Sequence, residues 1–304
     1  MTHRFLATLF LIFYHITPVS ADSNHYCDTF VTDSSIDGIQ TSAHFCKSSK
    51  DFVPLLVFFP SWNGGLPYYE EVVALVKKRG WHFLAPKIRG ANQFQVGSYL
   101  SIQDALDSID SFIKKEGVKV SRIYAIGVSG GGYTSLMIAG KYPDLFSGIS
   151  VWAAMTDLRD WDREMRTRKR PDYYYSIENN LGDPLANQAK YFSRSPISLS
   201  STLKKVPIDL NAGITDGHHG VVAITHALQM YDAIANKHDQ LTKEEYRILE
   251  SGKSDLPFDT INDKTYGVKS VLFRKTSNKI RLTVFDGDHE MIPGAAIEWL
   301  QKQH

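Results

Sequence analysis

The feature that most restricts the fold of this 304-residue chain is Gly127-Val128-Ser129-Gly130-Gly131, set between an apolar run at 122–126 and a helix-like run at 133–140. A chain that passes from strand to helix across so few residues must turn sharply. Only residues without bulky side chains fit beside such a turn, and the glycines at 127, 130 and 131 meet that demand. The serine at its apex is held in a strained, exposed conformation with a helix N-terminus beside it. Further short apolar runs lie at 54–59, 82–85, 148–154, 206–212 and 280–285. Amphipathic stretches separate them, and at 102–115 the residues Ile102, Leu106, Ile109 and Ile113 recur at helical spacing. Alternating strand and helix predicts an α/β fold with a mostly parallel central sheet and helices on both faces. One stretch breaks the rhythm: residues 156–202, rich in Asp, Arg, Tyr and Pro, are far longer than a usual connection and predict a lid-like insert.

A serine hydroxyl becomes a nucleophile when a base takes its proton and an acid orients that base. His289, in Asp286-Gly287-Asp288-His289-Glu290 just after the last apolar run, is placed to be the base. His218 and His219 precede that run, and His82 lies inside another. The acid is expected at Asp216, on the loop after 206–212, with Asp157 after 148–154 as its rival. A developing oxyanion needs amide donors, expected from Gly130 and from Trp62 or Ser61 in Pro60-Ser61-Trp62-Asn63-Gly64-Gly65. Neither a cofactor nor a catalytic metal is expected, since adjacent His218 and His219 point differently and no cysteine or HExxH set supports them.

The formal net charge is +1, which excludes a global field for nucleic acid or anionic membrane, so no nucleic-acid partner is expected. Residues 1–21 read as a secretory leader: Arg4, an apolar run of about a dozen residues, then Val19-Ser20-Ala21. That run is shorter than the roughly 20 residues of a membrane span, so cleavage near Ala21 and a secreted or periplasmic product, without a stable membrane anchor, are expected. Cys27 and Cys46 are the sole cysteines, and an oxidising destination predicts a disulfide between them within an N-terminal segment, 22–50. The catalytic domain is then expected at 51–304.

With these residues in hand, the chain resembles the α/β-hydrolase superfamily, in particular its prolyl-oligopeptidase-like branch and allied exported carbohydrate-esterase-type hydrolases. The resemblance rests on Ala85-Pro86-Lys87-Ile88-Arg89-Gly90, the turn at 127–132, Ser195-Pro196-Ile197, the loop at 213–217 and Asp288-His289-Glu290. It implies a cofactor-free acyl-enzyme mechanism with Ser129, Asp216 and His289 as triad. Oligopeptidases of that branch carry a long propeller ahead of the hydrolase domain, where this chain has about 30 mature residues. An esterase acting on a carbohydrate or other small or polymeric ester is therefore expected first, with a peptidase acting on short peptides as the alternative. An acidic polysaccharide fragment is the candidate partner, with Trp152, Trp161, Arg166, Arg168 and Arg170 expected to bind it through aromatic stacking and guanidinium forks.

Overall fold

The computed structural model describes residues 27–89 and 91–303, so the expected leader lies outside the described residues. Its strands are β1 (Asp28–Asp33), β2 (Gln40–Cys46), β3 (Val53–Phe58), β4 (His82–Lys87), β5 (Val120–Val128), β6 (Gly148–Trp152), β7 (Ile208–Gly213), β8 (Val271–Ser277) and β9 (Ile280–Phe285). Its helices are α1 (Tyr69–Arg79), α2 (Ala91–Gln95), α3 (Tyr99–Lys115), α4 (Gly130–Lys141), α5 (Leu158–Thr167), α6 (Pro171–Leu181), α7 (Gln188–Ser193), α8 (Ser200–Leu203), α9 (Thr225–Ile234), α10 (Lys243–Leu249) and α11 (Pro293–Leu300). The strands form one nine-stranded sheet in the order β1-β2-β4-β3-β5-β6-β7-β9-β8. From β4 to β9 all neighbours are parallel, and the antiparallel pairs β1/β2, β2/β4 and β8/β9 finish the two edges.

The central strands read as nearly unbroken apolar runs because both faces are covered. Every residue of β6 and β7 is buried. One core lies between the sheet and α1 with α11, built on Val72, Val76, Phe83, Tyr124, Ile297 and Leu300. The other holds Leu136, Met137, Ile149, Leu210 and Leu228 under α3, α4 and α9, and continues into the helical insert. No helix among the described residues is long and apolar enough to cross a membrane.

The N-terminal residues are not a separate segment as expected; β1 and β2 extend the same sheet through β2/β4 pairing. Their signal was faint because the inward positions of β2 begin with the small Thr41 and Ala43, with Phe45 alone being large. Asp28 faces Phe45 across the hairpin, so the next pair in that register sets Cys27 opposite Cys46, and the two are disulfide-bonded with Cα atoms 4.8 Å apart. β8 was also missed, since its outer half, Arg274-Lys275-Thr276, is polar edge strand. Residues 156–202 fold as α5 to α8 and a 3₁₀ turn, with Leu158, Trp161, Met165, Ile177, Leu181 and Tyr191 buried beneath them. The insert is thus a helical layer with its own apolar floor.

Candidate active site

Ser129 stands between β5 and α4 with φ 57° and ψ −121°, a region that side-chain-bearing residues avoid and that costs on the order of 1–3 kcal/mol. Close packing imposes it. A Cβ on Gly131 would overlap the Phe59 carbonyl, and one on Gly130 would overlap the backbone of Trp62. The Ser129 amide donates to the Trp152 carbonyl at 2.8 Å, and buried Asn92 donates to the Gly130 carbonyl at 3.0 Å, pinning both sides of the turn. Helix α4, buried from Gly130 to Gly140, directs its N-terminus at the serine.

The loops after β7 and β9 bring their side chains to the same end of the sheet. Asp216 is 1% exposed, and its Oδ2 lies 2.8 Å from His289 Nδ1, while its Oδ1 accepts from the Val222 amide at 3.3 Å. The packing is tight here too, because a Cβ on Gly220 would meet the Asp216 carboxylate and the His289 side chain. A cavity of about 350 Å³ opens on Ser129 and His289 and is walled by Ser61, Trp62, Asp172 and Tyr173. Asp157 stands apart: it caps α5 by accepting from the Arg159 amide at 2.9 Å and pairs with the Arg159 guanidinium at 3.0 Å. Burial raises its pKa, but the Arg159 hydrogen bonds outweigh this and hold the carboxyl below its ordinary value.

The residues expected to supply oxyanion donors, Gly130 and Trp62, lie side by side. The Gly130 and Trp62 backbones are in close approach beside Ser129, and among the described residues neither amide donates to a protein acceptor. Trp62 itself is clamped: its indole N–H donates to Ser176 Oγ of α6 at 3.2 Å, and its ring meets Trp161 edge-on with centroids 4.7 Å apart. Trp161 in turn donates from its indole to the Val221 carbonyl at 2.9 Å, next to the Val222 amide that holds Asp216. One buried tryptophan of the insert therefore touches both the loop after β3 and the loop after β7.

The expected substrate-binding residues are placed otherwise. Trp152 is fully buried on the opposite face of the sheet, packed on Tyr266 and Phe285, with its indole N–H on Ser150 Oγ at 2.9 Å. Alternation along β6 explains this, since Val151 faces the insert and Trp152 faces away. Trp161 is fully buried as well and offers no face to a sugar. Arg166 pairs with Asp162 and Glu178 and lies over the Tyr174 ring, Arg168 donates to the Gly220 carbonyl at 2.8 Å, and Arg170 pairs with Asp172 at 3.0 Å. None of the three lines the cavity that holds Ser129 and His289. Sequence reasoning passed over Asp172 and Val221, both cavity-lining. Pro171 at the first turn of α6 marks a helix start and was the available signal for Asp172.

A strained serine after the fifth strand, served by a histidine after the last parallel strand, is how α/β-hydrolases arrange acyl transfer, and this chain is a serine hydrolase of that fold. It belongs to the prolyl oligopeptidase family, whose model matches residues 69–249, a stretch that contains Ser129 and Asp216. Acylamino-acid-releasing enzyme 2 of Oryza sativa subsp. japonica is 25% identical over 215 residues, which cover 63% of this chain and 26% of that protein. The chain thus spans about a quarter of the length of this curated relative. Among solved structures, the uncomplexed acylaminoacyl peptidase of Pyrococcus horikoshii is 20% identical with a TM-score of 0.55, covering 68% of this chain and 34% of that one. A puromycin-hydrolyzing peptidase of Mycobacterium tuberculosis is 14% identical with a TM-score of 0.63, covering 90% of this chain and 38% of that one. These structural likenesses show the fold. Family membership corrects the first expectation, an esterase of carbohydrate or other esters: the family is one of peptidases, and the named relative releases acylated amino acids. Among the described residues no group of three or more His, Cys, Asp or Glu side chains is placed to hold a metal ion.

Proposed function

We propose that this chain is a serine peptidase acting on short peptides through an acyl-enzyme on Ser129. The observation that carries the reading is the 2.8 Å contact of His289 Nδ1 with buried Asp216, in a site whose cavity also holds the elbow serine. In this mechanism His289 Nε2 takes the Ser129 proton as Oγ attacks the scissile carbonyl, and returns it to the leaving amine. Asp216 fixes the tautomer with Nδ1 protonated and stabilises the imidazolium. The amides of Gly130 and Trp62, aided by the α4 N-terminus, receive the oxyanion. Water then repeats the sequence on the acyl-enzyme. Family membership favours an amide over an ester as the scissile bond, and a cavity of about 350 Å³ beneath a helical insert suits a short substrate. The Cys27–Cys46 bridge supports an oxidising compartment as the site of action.

The test is hydrolysis of aminoacyl and dipeptidyl p-nitroanilides by the purified chain, beside its Ser129→Ala variant, with mass mapping of a fluorophosphonate adduct. Turnover of anilides, abolished in the variant, with the adduct on Ser129, is the expected result. Hydrolysis of esters without any amide would overturn the peptidase reading, and an adduct on another serine would overturn the nucleophile.

A further inference from the structure

Among the described residues, Asp172 is the carboxylate that lines the wall of the cavity opening on Ser129 and His289. It stands in the first turn of α6 and lines the cavity of Ser129 and His289 together with the ring of Tyr173. It also lines a neighbouring cavity of about 530 Å³ walled by Phe94, Tyr175 and Asn179. A group bound to its carboxylate therefore has the scissile-bond site on one side and room for further substrate on the other. The carboxylate and ring are at present occupied by a cation. The Arg170 guanidinium lies 4.7 Å over the Tyr173 ring centroid and donates to both Asp172 oxygens, at 3.3 and 3.0 Å. Carboxylate and aromatic face act together on a cation, which is the combination that recognises ammonium and guanidinium groups.

We propose that Asp172 and Tyr173 form a specificity subsite for a positively charged group of the substrate, and that Arg170 is its internal stand-in, displaced when substrate binds. The proposal rests on the reading of Ser129 and His289 as the reacting groups of this cavity. Displacement is easy because the Arg170 and Asp172 side chains are 40% and 58% exposed, and a pair so open to water is weak. The other charged groups nearby do not cancel the carboxylate: Arg168 is turned to the Gly220 carbonyl, and Arg166 to Asp162 and Glu178. Trp161 packs against Tyr173 with centroids 5.4 Å apart, so the ring is backed by a buried side chain. The shared chemistry is a cation, supplied either by a free α-ammonium or by a Lys or Arg side chain.

Two matched pairs of p-nitrophenyl esters separate these sources: alanyl against N-acetylalanyl, and N-acetyl-lysyl against N-acetyl-norleucyl. Esters report acyl transfer at Ser129 whether or not amides are cleaved, so the peptidase reading, tested with the corresponding anilides, can fail alone. The wild type should favour the charged member of at least one pair in kcat/KM. Asp172→Asn should shrink that preference by about tenfold, through the KM of the charged member, with a smaller change on the neutral one. Arg170→Gln should enlarge it, because the competitor is gone. Equilibrium binding of alaninamide against N-acetylalaninamide, and of N-acetyl-lysinamide against N-acetyl-norleucinamide, to the same variants reads the subsite without any turnover. Equal effects of Asp172→Asn on charged and neutral members of both pairs, or a preference lowered by Arg170→Gln, would overturn the proposal.

Discussion

The elbow around Ser129 and the helical insert of α5 to α8 face the same cavity but are held by different means. At the elbow, backbone lies against backbone: Gly131 against the Phe59 carbonyl, Gly130 against Trp62, with no space for a methyl group. In the insert, a few large side chains carry the packing, chiefly Trp161, Met165, Ile177 and Tyr191, while Arg163 and Arg170 pair with Asp160 and Asp172 at the surface and Arg166 reaches in to buried Asp162. Backbone packing tolerates almost no adjustment, whereas side-chain packing can be repacked at modest cost. The division suits the chemistry. The proposed nucleophile must hold its geometry to a fraction of an ångström, and the proposed recognition surface must be able to change.

That comparison is sharpened first at the acid. Asp216→Asn should leave the fold intact and reduce turnover by about four orders of magnitude through the wrong His289 tautomer, whereas Asp157→Asn, capping a helix of the insert, should leave kcat within a fewfold of the wild type. Steady-state kinetics of the two variants decide it, and the opposite ranking would break the assignment.

Trp161 is where the insert reaches the rigid side. Trp161→Ala should cost about 3–5 kcal/mol in denaturant unfolding, because a fully buried indole is replaced by a cavity. Trp161→Phe keeps most of the ring volume and removes the N–H on the Val221 carbonyl, so its kcat should fall more than its KM rises. A Phe variant with wild-type kcat would show that the two loops hold their positions without the insert.

Gly131→Ala tests the elbow directly. The added methyl must displace the Phe59 carbonyl, at an expected cost of about 1–3 kcal/mol, and the displaced loop carries the Trp62 amide. Thermal unfolding with parallel kinetics should therefore show both stability and kcat falling. Unchanged kcat would mean that the loop after β3 moves as freely as the insert.

The smallest effect belongs to the insert's own cap. Asp157→Ala should lose about 1 kcal/mol at neutral pH. The folded-state pKa of Asp157 is depressed, so its contribution is fully present above the ordinary aspartate value and is lost as pH falls from there through the lowered folded-state value. The gap between wild type and variant should accordingly close in acid. A gap that stays constant to low pH would assign the loss to packing instead of charge.

What the sequence by itself determined was the part written in consecutive residues. The elbow at 127–131, the aspartate one loop after a strand at 213–216 and the histidine after the last strand were legible because each depends on local turn chemistry and strand-helix alternation. The disulfide was legible from the cysteine count and the oxidising destination expected of the chain. Ester against amide was not, since a Ser-His-Asp triad of the kind proposed opens both bonds, and only kinship with the prolyl oligopeptidase family moved the reading to a peptidase. The tertiary structure decided which side chains reach the cavity. Arg166, Arg168 and Arg170 were expected from the sequence to bind substrate, yet each finds an acceptor within the fold, and Trp152 and Trp161 go to opposite faces of the sheet. Asp172 enters the site because α6 crosses the loop after β3, bringing together residues more than a hundred positions apart through Trp62 and Ser176. Such meetings are set by how helices pack over a sheet, and no local pattern of residues encodes them.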